Sequence, residues 1–185
     1  MKHLKYFNLF ENKSPLLQLS ENVDLNLIHK IQDLIKSGTI LEISCGNGAD
    51  ALYLSEHGFN VIATDNNPEY VDFVGRFIDC YLHDTKDKFP FKDEQFDLVY
   101  SRLGLHYFTP QELINIFDEI SRITKKYLVY SVKLVNDIQT GKVILDENTW
   151  LELTSDKFEI LTSEVKDGLL YGNESKWLEV VAIRK

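Results

Sequence analysis

An α/β fold built on a mostly parallel sheet is what this sequence predicts, and three observations carry the prediction. Beyond roughly the first 37 residues, short apolar runs alternate with segments of helical period. The first of those runs ends in a turn that holds Gly46 and Gly48. The last two runs are joined by a glycine-containing loop, as expected of an antiparallel pair that closes a sheet.

The elements follow in order. TILEIS at 39–44 reads as a buried strand, and the helix after the turn stops at Gly58, a natural residue just past a helix end. NVIATD at 60–65 is the second strand. Asn67 and Pro68 supply an N-cap and first helical position for a helix carrying Tyr70, Val71, Phe73 and Val74. FIDCYLHD at 77–84 and FDLVYS at 96–101 are strands three and four. Thr109, Pro110 and Glu112 form a capping box for a helix with Leu113, Ile116, Phe117 and Ile120 on one face. KYLVYSV at 126–132 is the fifth strand, and a short helix over 146–153 begins at Asp146. FEILTSEV and KWLEVVAI, separated by a loop with Gly168, Gly172 and Asn173, are the closing pair. Residues 1–37 read as a helical cap laid over one edge, broken at Ser14 and Pro15, and residues 38–185 as the main domain.

Bulk properties narrow the function. At 185 residues the chain suits one domain. A separate substrate domain is not expected. Twenty Lys and Arg against 29 Asp and Glu give a formal charge of −9, which would repel a phosphate backbone, and no basic run offsets it; nucleic acid is a poor partner. Cys45 and Cys80 form no CxxC pair, so neither a metal site nor a disulfide framework is indicated and a reducing, cytoplasmic setting fits. Charges interrupt the start MKHLKYFNLFENKSPLL before an apolar core develops, and no later run reaches the ~20 apolar residues of a membrane span. Neither export nor membrane insertion is expected.

The glycine turn carries the chemistry. In an open parallel sheet a ligand sits beyond the carboxyl ends of the strands, where the first strand enters its helix. Gly46 and Gly48 allow close backbone approach, and the helix beginning near Ala49 offers free amides. Asp65 closes the second strand near the ~20-residue offset at which an acid takes ribose hydroxyls. Gly46, Gly48 and Ala51 also satisfy the dinucleotide pattern GxGxx(G/A). Against a dinucleotide stands Glu42, which would repel a pyrophosphate and attract the cationic amino-acid end of S-adenosylmethionine. Asp84 adds a carboxylate able to accept from an adenine amino group, though a solvated loop acid would look the same.

The stretches LEISCGNGADALYLSEHGFNVIATDNNPEYV, CYLHDTKDKFPFKDEQFDLVYSRLGLHYF and SKWLEVVAIRK resemble the successive motifs of class I S-adenosylmethionine-dependent methyltransferases, most closely the small single-domain type. The resemblance covers about residues 37–185. It implies a Rossmann-like seven-stranded sheet of order 3-2-1-4-5-7-6, strand seven antiparallel, with helices on both faces. It also implies that Glu42, Gly46 and Gly48 belong to the cofactor turn, with Asp65 at the ribose, Asn66, Asp84 and Thr85 at the adenine, and Ser101 beside the methionine moiety. Ser44 departs from the pattern, which usually has glycine there; a serine is expected to fit at negative φ with its side chain turned away from the cofactor.

The acceptor is less legible. SRLGLHYF at 101–108 occupies the loop that faces the methyl group by the same resemblance, and lacks the (D/N)PP(Y/F) tetrapeptide of amino methylation. His106 is its one side chain able to act as a base near neutral pH, or else it packs under the Thr109 helix. Tyr107 and Tyr6 are further groups to orient an acceptor, and YFNLF at 6–10 reads as a lid or as terminal packing. Cys45 reads as a small turn residue, not a nucleophile. Three functions stay open: methyl transfer to a small molecule, a non-catalytic module holding S-adenosylmethionine or S-adenosylhomocysteine, and a nicotinamide-dependent oxidoreductase. Oligomeric state cannot be read.

Overall fold

The computed structural model describes residues 23–134, 145–170 and 173–185. Its elements are α1 (Leu25–Leu34), β1 (Thr39–Ile43), α2 (Ala49–Glu56), β2 (Asn60–Asp65), α3 (Pro68–Val74), β3 (Asp79–Leu82), β4 (Phe96–Arg102), a 3-10 turn (Leu105–Tyr107), α4 (Pro110–Ile123), β5 (Thr124–Lys133), α5 (Glu147–Lys157), β6 (Phe158–Leu170) and β7 (Asn173–Arg184). The seven strands form one sheet of order β3-β2-β1-β4-β5-β7-β6. Strands β1 to β5 pair in parallel, and β7 runs antiparallel to both β5 and β6. This is the Rossmann-like order expected from the sequence.

Strand alternation divides the core between two faces. Ile40, Leu98 and Val129 point to the face covered by α1, α2 and α3, where they meet Leu27, Ile28, Ile31 and Leu54. Their neighbours Leu41, Val99 and Leu128 point to the other face and meet Leu113, Ile116, Phe117 and Ile120 of α4 and Trp150 of α5. Burying both faces explains why the central strands are apolar without interruption. The α4 capping box forms as expected: Thr109 Oγ1 accepts from the Glu112 amide, and the Thr109 amide donates to Glu112.

Several boundaries differ from the sequence reading. The helix at Leu25–Leu34 does not lie over an edge: Leu27, Ile28 and Ile31 are fully buried against a sheet face, because three apolar residues at helical spacing need a continuous apolar partner. Strand β3 is shorter than 77–84, as befits an edge strand with Tyr81 and Leu82 half-exposed or more. Helix α5 continues to Lys157, past 153, where its charge complements the helix end. Gly168 and Asn173 lie within paired strands, since β6 and β7 remain in register up to Leu170 and Asn173. Gly172, Ser14, Pro15, Tyr6 and the YFNLF stretch fall outside the described residues.

Candidate active site at the strand ends

A cavity of about 1200 Å³ opens at the carboxyl ends of the parallel strands, where the switch-point rule places a ligand. Its walls include Glu42, Ser44, Gly46, Asp65, Asn66 and Asp84, six of the nine residues proposed from sequence for the cofactor, and also His106 and Tyr107. Gly48, Thr85 and Ser101 do not line it. Gly48 caps α2 at φ 73°, and a Cβ there would stand 2.6 Å from Val74 Cγ2, so its glycine serves the packing of α3. Thr85 is buried behind Ser44, their hydroxyl oxygens 3.3 Å apart. Ser101 is fully buried, its Oγ without a partner among the described residues.

Asp65 organises the turn. Its Oδ2 accepts from the Gly46 amide at 2.8 Å and its Oδ1 from the Asn67 amide at 2.9 Å, while the Cys45 amide donates to the Thr64 carbonyl at 3.0 Å. One carboxylate thereby ties the end of β2 to the loop after β1. Gly46 adopts φ 55° with no atom within 4 Å of where a Cβ would be, so the space before the loop is open.

Ser44 overturns the expectation of negative φ: its φ is 57°. The chain must reverse immediately after β1, and serine takes the left-handed region that glycine would take freely, at a cost of roughly 1–2 kcal/mol. The neighbouring chain accommodates its side chain. A Cβ on Gly104 would stand only 2.7 Å from Ser44 Cβ, so Gly104 leaves the room that Ser44 fills. Its hydroxyl lies against Thr85, and Ser44 itself remains a cavity-lining residue.

Glu42 reaches the cavity from within β1 and is 3% exposed. Its Oε2 is buried without a partner among the described residues. Burial, reinforced by the nearby Asp50 carboxylate and opposed by Arg102, raises its pKa well above the usual glutamate range. A buried oxygen with no donor is costly, and a ligand ammonium or N–H would satisfy it.

The sequence reading missed the group beside Glu42. Asp50, 1% exposed, accepts from Tyr100 Oη at 2.8 Å and from the Asp24 amide at 3.0 Å, and is ion-paired with Arg102, whose Nε lies 2.9 Å away. Burial raises the Asp50 pKa despite Arg102. Two carboxyls thus share one guanidinium, which leaves room for one more positive charge. The signal was present as an acid in the first turn of a helix and an arginine one residue past the fourth strand's predicted end, but neither names its partner.

His106 sits on the 3-10 turn, 7% exposed, with its ring centroid 4.4 Å from that of Tyr107. A hydrogen bond with the Cys80 thiol and burial both raise the Cys45 pKa. Both cysteines are free thiols.

Comparison with known proteins agrees with this fold. Residues 40–127 match the family described as a methyltransferase domain. An uncharacterized methyltransferase of Synechocystis is 28% identical over 46% of this chain and 42% of its own. The chain spans less than half the length of the curated relatives it matches. Among solved structures, a SAM-dependent methyltransferase of Methanosarcina mazei aligns with a TM-score of 0.72 at 21% identity, covering 85% of this chain and 96% of that one. Magnesium protoporphyrin IX methyltransferase of Synechocystis, solved with bound SAH, aligns with a TM-score of 0.74 at 14% identity over 89% of this chain and 82% of that one.

Two outcomes are expected. Ser44→Gly relieves the left-handed strain and, after the greater unfolded-state freedom of glycine, stabilises the protein by about 0.5–1 kcal/mol, a rise in melting temperature of about 1–4 °C. A lower melting temperature would show that the Ser44 contacts with Thr85 and Gly104 outweigh the strain. Because the Glu42 pKa is raised, its contribution to stability is present below the unfolded pKa near 4.5 and is lost as pH rises through the folded value. Glu42→Gln therefore gains stability relative to wild type as pH rises above the unfolded value near 4.5, in thermal melts across pH. A stability difference independent of pH would contradict the burial of an ionisable carboxyl.

Proposed function

We propose that the chain is a class I S-adenosylmethionine-dependent methyltransferase that transfers a methyl group from that cofactor to a small-molecule acceptor: residues 40–127 match a methyltransferase domain, and the described residues carry the matching sheet order. The observation that supports this most is Glu42 at the cavity wall: a buried oxygen lacking a donor, in a cluster short of one positive charge, suits the cationic amino-acid end of S-adenosylmethionine and opposes a pyrophosphate. The amide-bearing turn at Gly46 and the acids Asp65 and Asp84 line the same cavity and suit an adenosine.

When bound, the cofactor's sulfonium supplies a methyl carbon open to in-line displacement. The chain's part is positioning and the exclusion of water. Glu42 holds the amino-acid end, Asp65 accepts from ribose hydroxyls with the lone pairs left over from the Gly46 and Asn67 amides, and Asn66 and Asp84 flank the adenine. Gly48, Thr85 and Ser101 support these groups from behind. His106 takes a proton from an acceptor hydroxyl. A non-catalytic cofactor-binding module is the second reading, favoured by the strained serine in the turn.

No helix among the described residues is long and apolar enough to cross a membrane. A small molecule suits the acceptor, because the chain is acidic and its cavity is lined by residues of both sheet and loops.

Calorimetry is expected to show S-adenosylmethionine or S-adenosylhomocysteine binding, and none of NADH; the reverse pattern favours an oxidoreductase. Asp65→Ala weakens cofactor binding about ten- to hundredfold, the ~1.5–3 kcal/mol of hydrogen bonds to a charged group. An unchanged dissociation constant would remove Asp65 from the ribose. For an acceptor hydroxyl identified by a methyl-transfer screen, His106→Ala loses about 10²–10⁴ in turnover while cofactor affinity holds. Near-normal turnover with an unchanged pH profile would return His106 to a packing role, and binding without any turnover across the screen would favour the non-catalytic module.

A further inference from the structure

The cavity has a second wall, on β5 and β7, that the cofactor reading does not use. Antiparallel register sets Lys133 opposite Trp177 and Ser131 opposite Glu179. These alternate residues share one sheet face, and Arg102 pairs in turn with Ser131. Lys133, Ser131 and Trp177 all line the cavity.

The indole of Trp177 is held in place by a buried carboxylate that contributes nothing else to the cavity. Trp177 Nε1–H donates to Glu179 Oε1 at 3.1 Å, and Glu179 Oε2 accepts from Lys30 Nζ at 2.6 Å and Lys166 Nζ at 2.9 Å. Glu179 is 2% exposed, so the two lysines from α1 and β6 neutralise it where water does not reach. On β6, Gly168 leaves room for the ring, since a Cβ there would stand 3.0 Å from Trp177 Cη2. Contacts from two strands and one helix thus fix one aromatic surface at the cavity wall.

The cations of the cavity differ in how they are engaged. Arg102 is paired with Asp50 at 2.9 Å and Lys86 with Asp84 at 3.3 Å. Lys133, directly across from the fixed indole, has no carboxylate partner among the described residues. In a chain of charge −9, an ammonium left without an acid at a half-buried wall is a place for a ligand's negative charge.

Resting on the methyl-transfer reading of this cavity, we propose that the acceptor is an organic carboxylate with a flat apolar body: the body lies on Trp177 and the carboxylate pairs with Lys133. A single ammonium matches one negative charge, and an apolar plane beside it matches an aromatic or conjugated skeleton. Glu179 is a positioning residue that acts through the indole.

The test is calorimetric titration of the S-adenosylhomocysteine-loaded protein with indole-3-acetate and 1-naphthoate, each against its own amide. The acids are expected to bind at least about tenfold more tightly than the amides, about 1.4 kcal/mol. Lys133→Met and Lys133→Gln both abolish that preference and leave S-adenosylhomocysteine affinity within about twofold, while Trp177→Phe weakens acid and amide alike. Equal binding of acid and amide to the wild type, no binding of either up to millimolar concentration, or a preference that survives both Lys133 variants overturns the proposal. So does a loss confined to S-adenosylhomocysteine, which would place Lys133 at the cofactor. If S-adenosylhomocysteine fails to bind the wild type, the methyl-transfer reading is lost, and the acid–amide comparison on the unloaded protein still decides the anion subsite.

Discussion

The carboxylate of Asp65 is the point on which the site depends. It accepts two backbone amides, one from the glycine turn after β1 and one from the start of the next loop, so two neighbouring strands end in a single hydrogen-bonded unit. Without it the turn would have to find another partner for the Gly46 amide, and the left-handed residues at 44, 46 and 48 would lose the contact that holds them in sequence. An acid here is also the residue suited to sugar hydroxyls, so the group that closes the loop faces the space the loop encloses.

Around that unit, charge is arranged by strand alternation. Glu42 and Arg102 project from β1 and β4 to the face covered by α2, where Asp50 waits in the first turn of the helix. Burial raises both carboxyls, and the lone guanidinium only partly compensates. A compact cluster short of positive charge is a poor way to stabilise an empty protein and a good way to attract a cation. The opposite face of the sheet carries no such tension: it is filled by Leu, Ile, Phe and Trp from α4 and α5.

The cavity is therefore lopsided in its chemistry. Its β1 and β2 side is acidic and rich in backbone amides, and its β5 and β7 side offers an ammonium beside a fixed indole. The Lys30–Glu179–Lys166 group also couples α1 to the closing strands, which ties the amino-terminal helix to the second wall.

Much of this was legible in the sequence. The strand and helix pattern, the glycine turn, the capping box at Thr109 and the placement of Glu42, Asp65 and Asp84 near one sheet edge all follow from local rules, because they depend on residue spacing within a few turns of chain. What local rules could not decide were conformations and partnerships set by distant segments. Ser44 adopts positive φ because Gly104, sixty residues on, vacates the space for its Cβ. Helix α1 lies on a sheet face because strands β1, β4 and β5 jointly present an apolar surface that no single stretch reveals. Gly48, Thr85 and Ser101 stand behind the cavity, not in it, since their direction depends on how α3 and the strand-four loop pack. The pairing of Asp50 with Arg102 and of Trp177 with Glu179 rests on strand register. Sequence alone determined the fold and the chemistry of the turn; tertiary structure alone decided which charges were left unbalanced, because that balance is a sum over residues brought together from the whole chain.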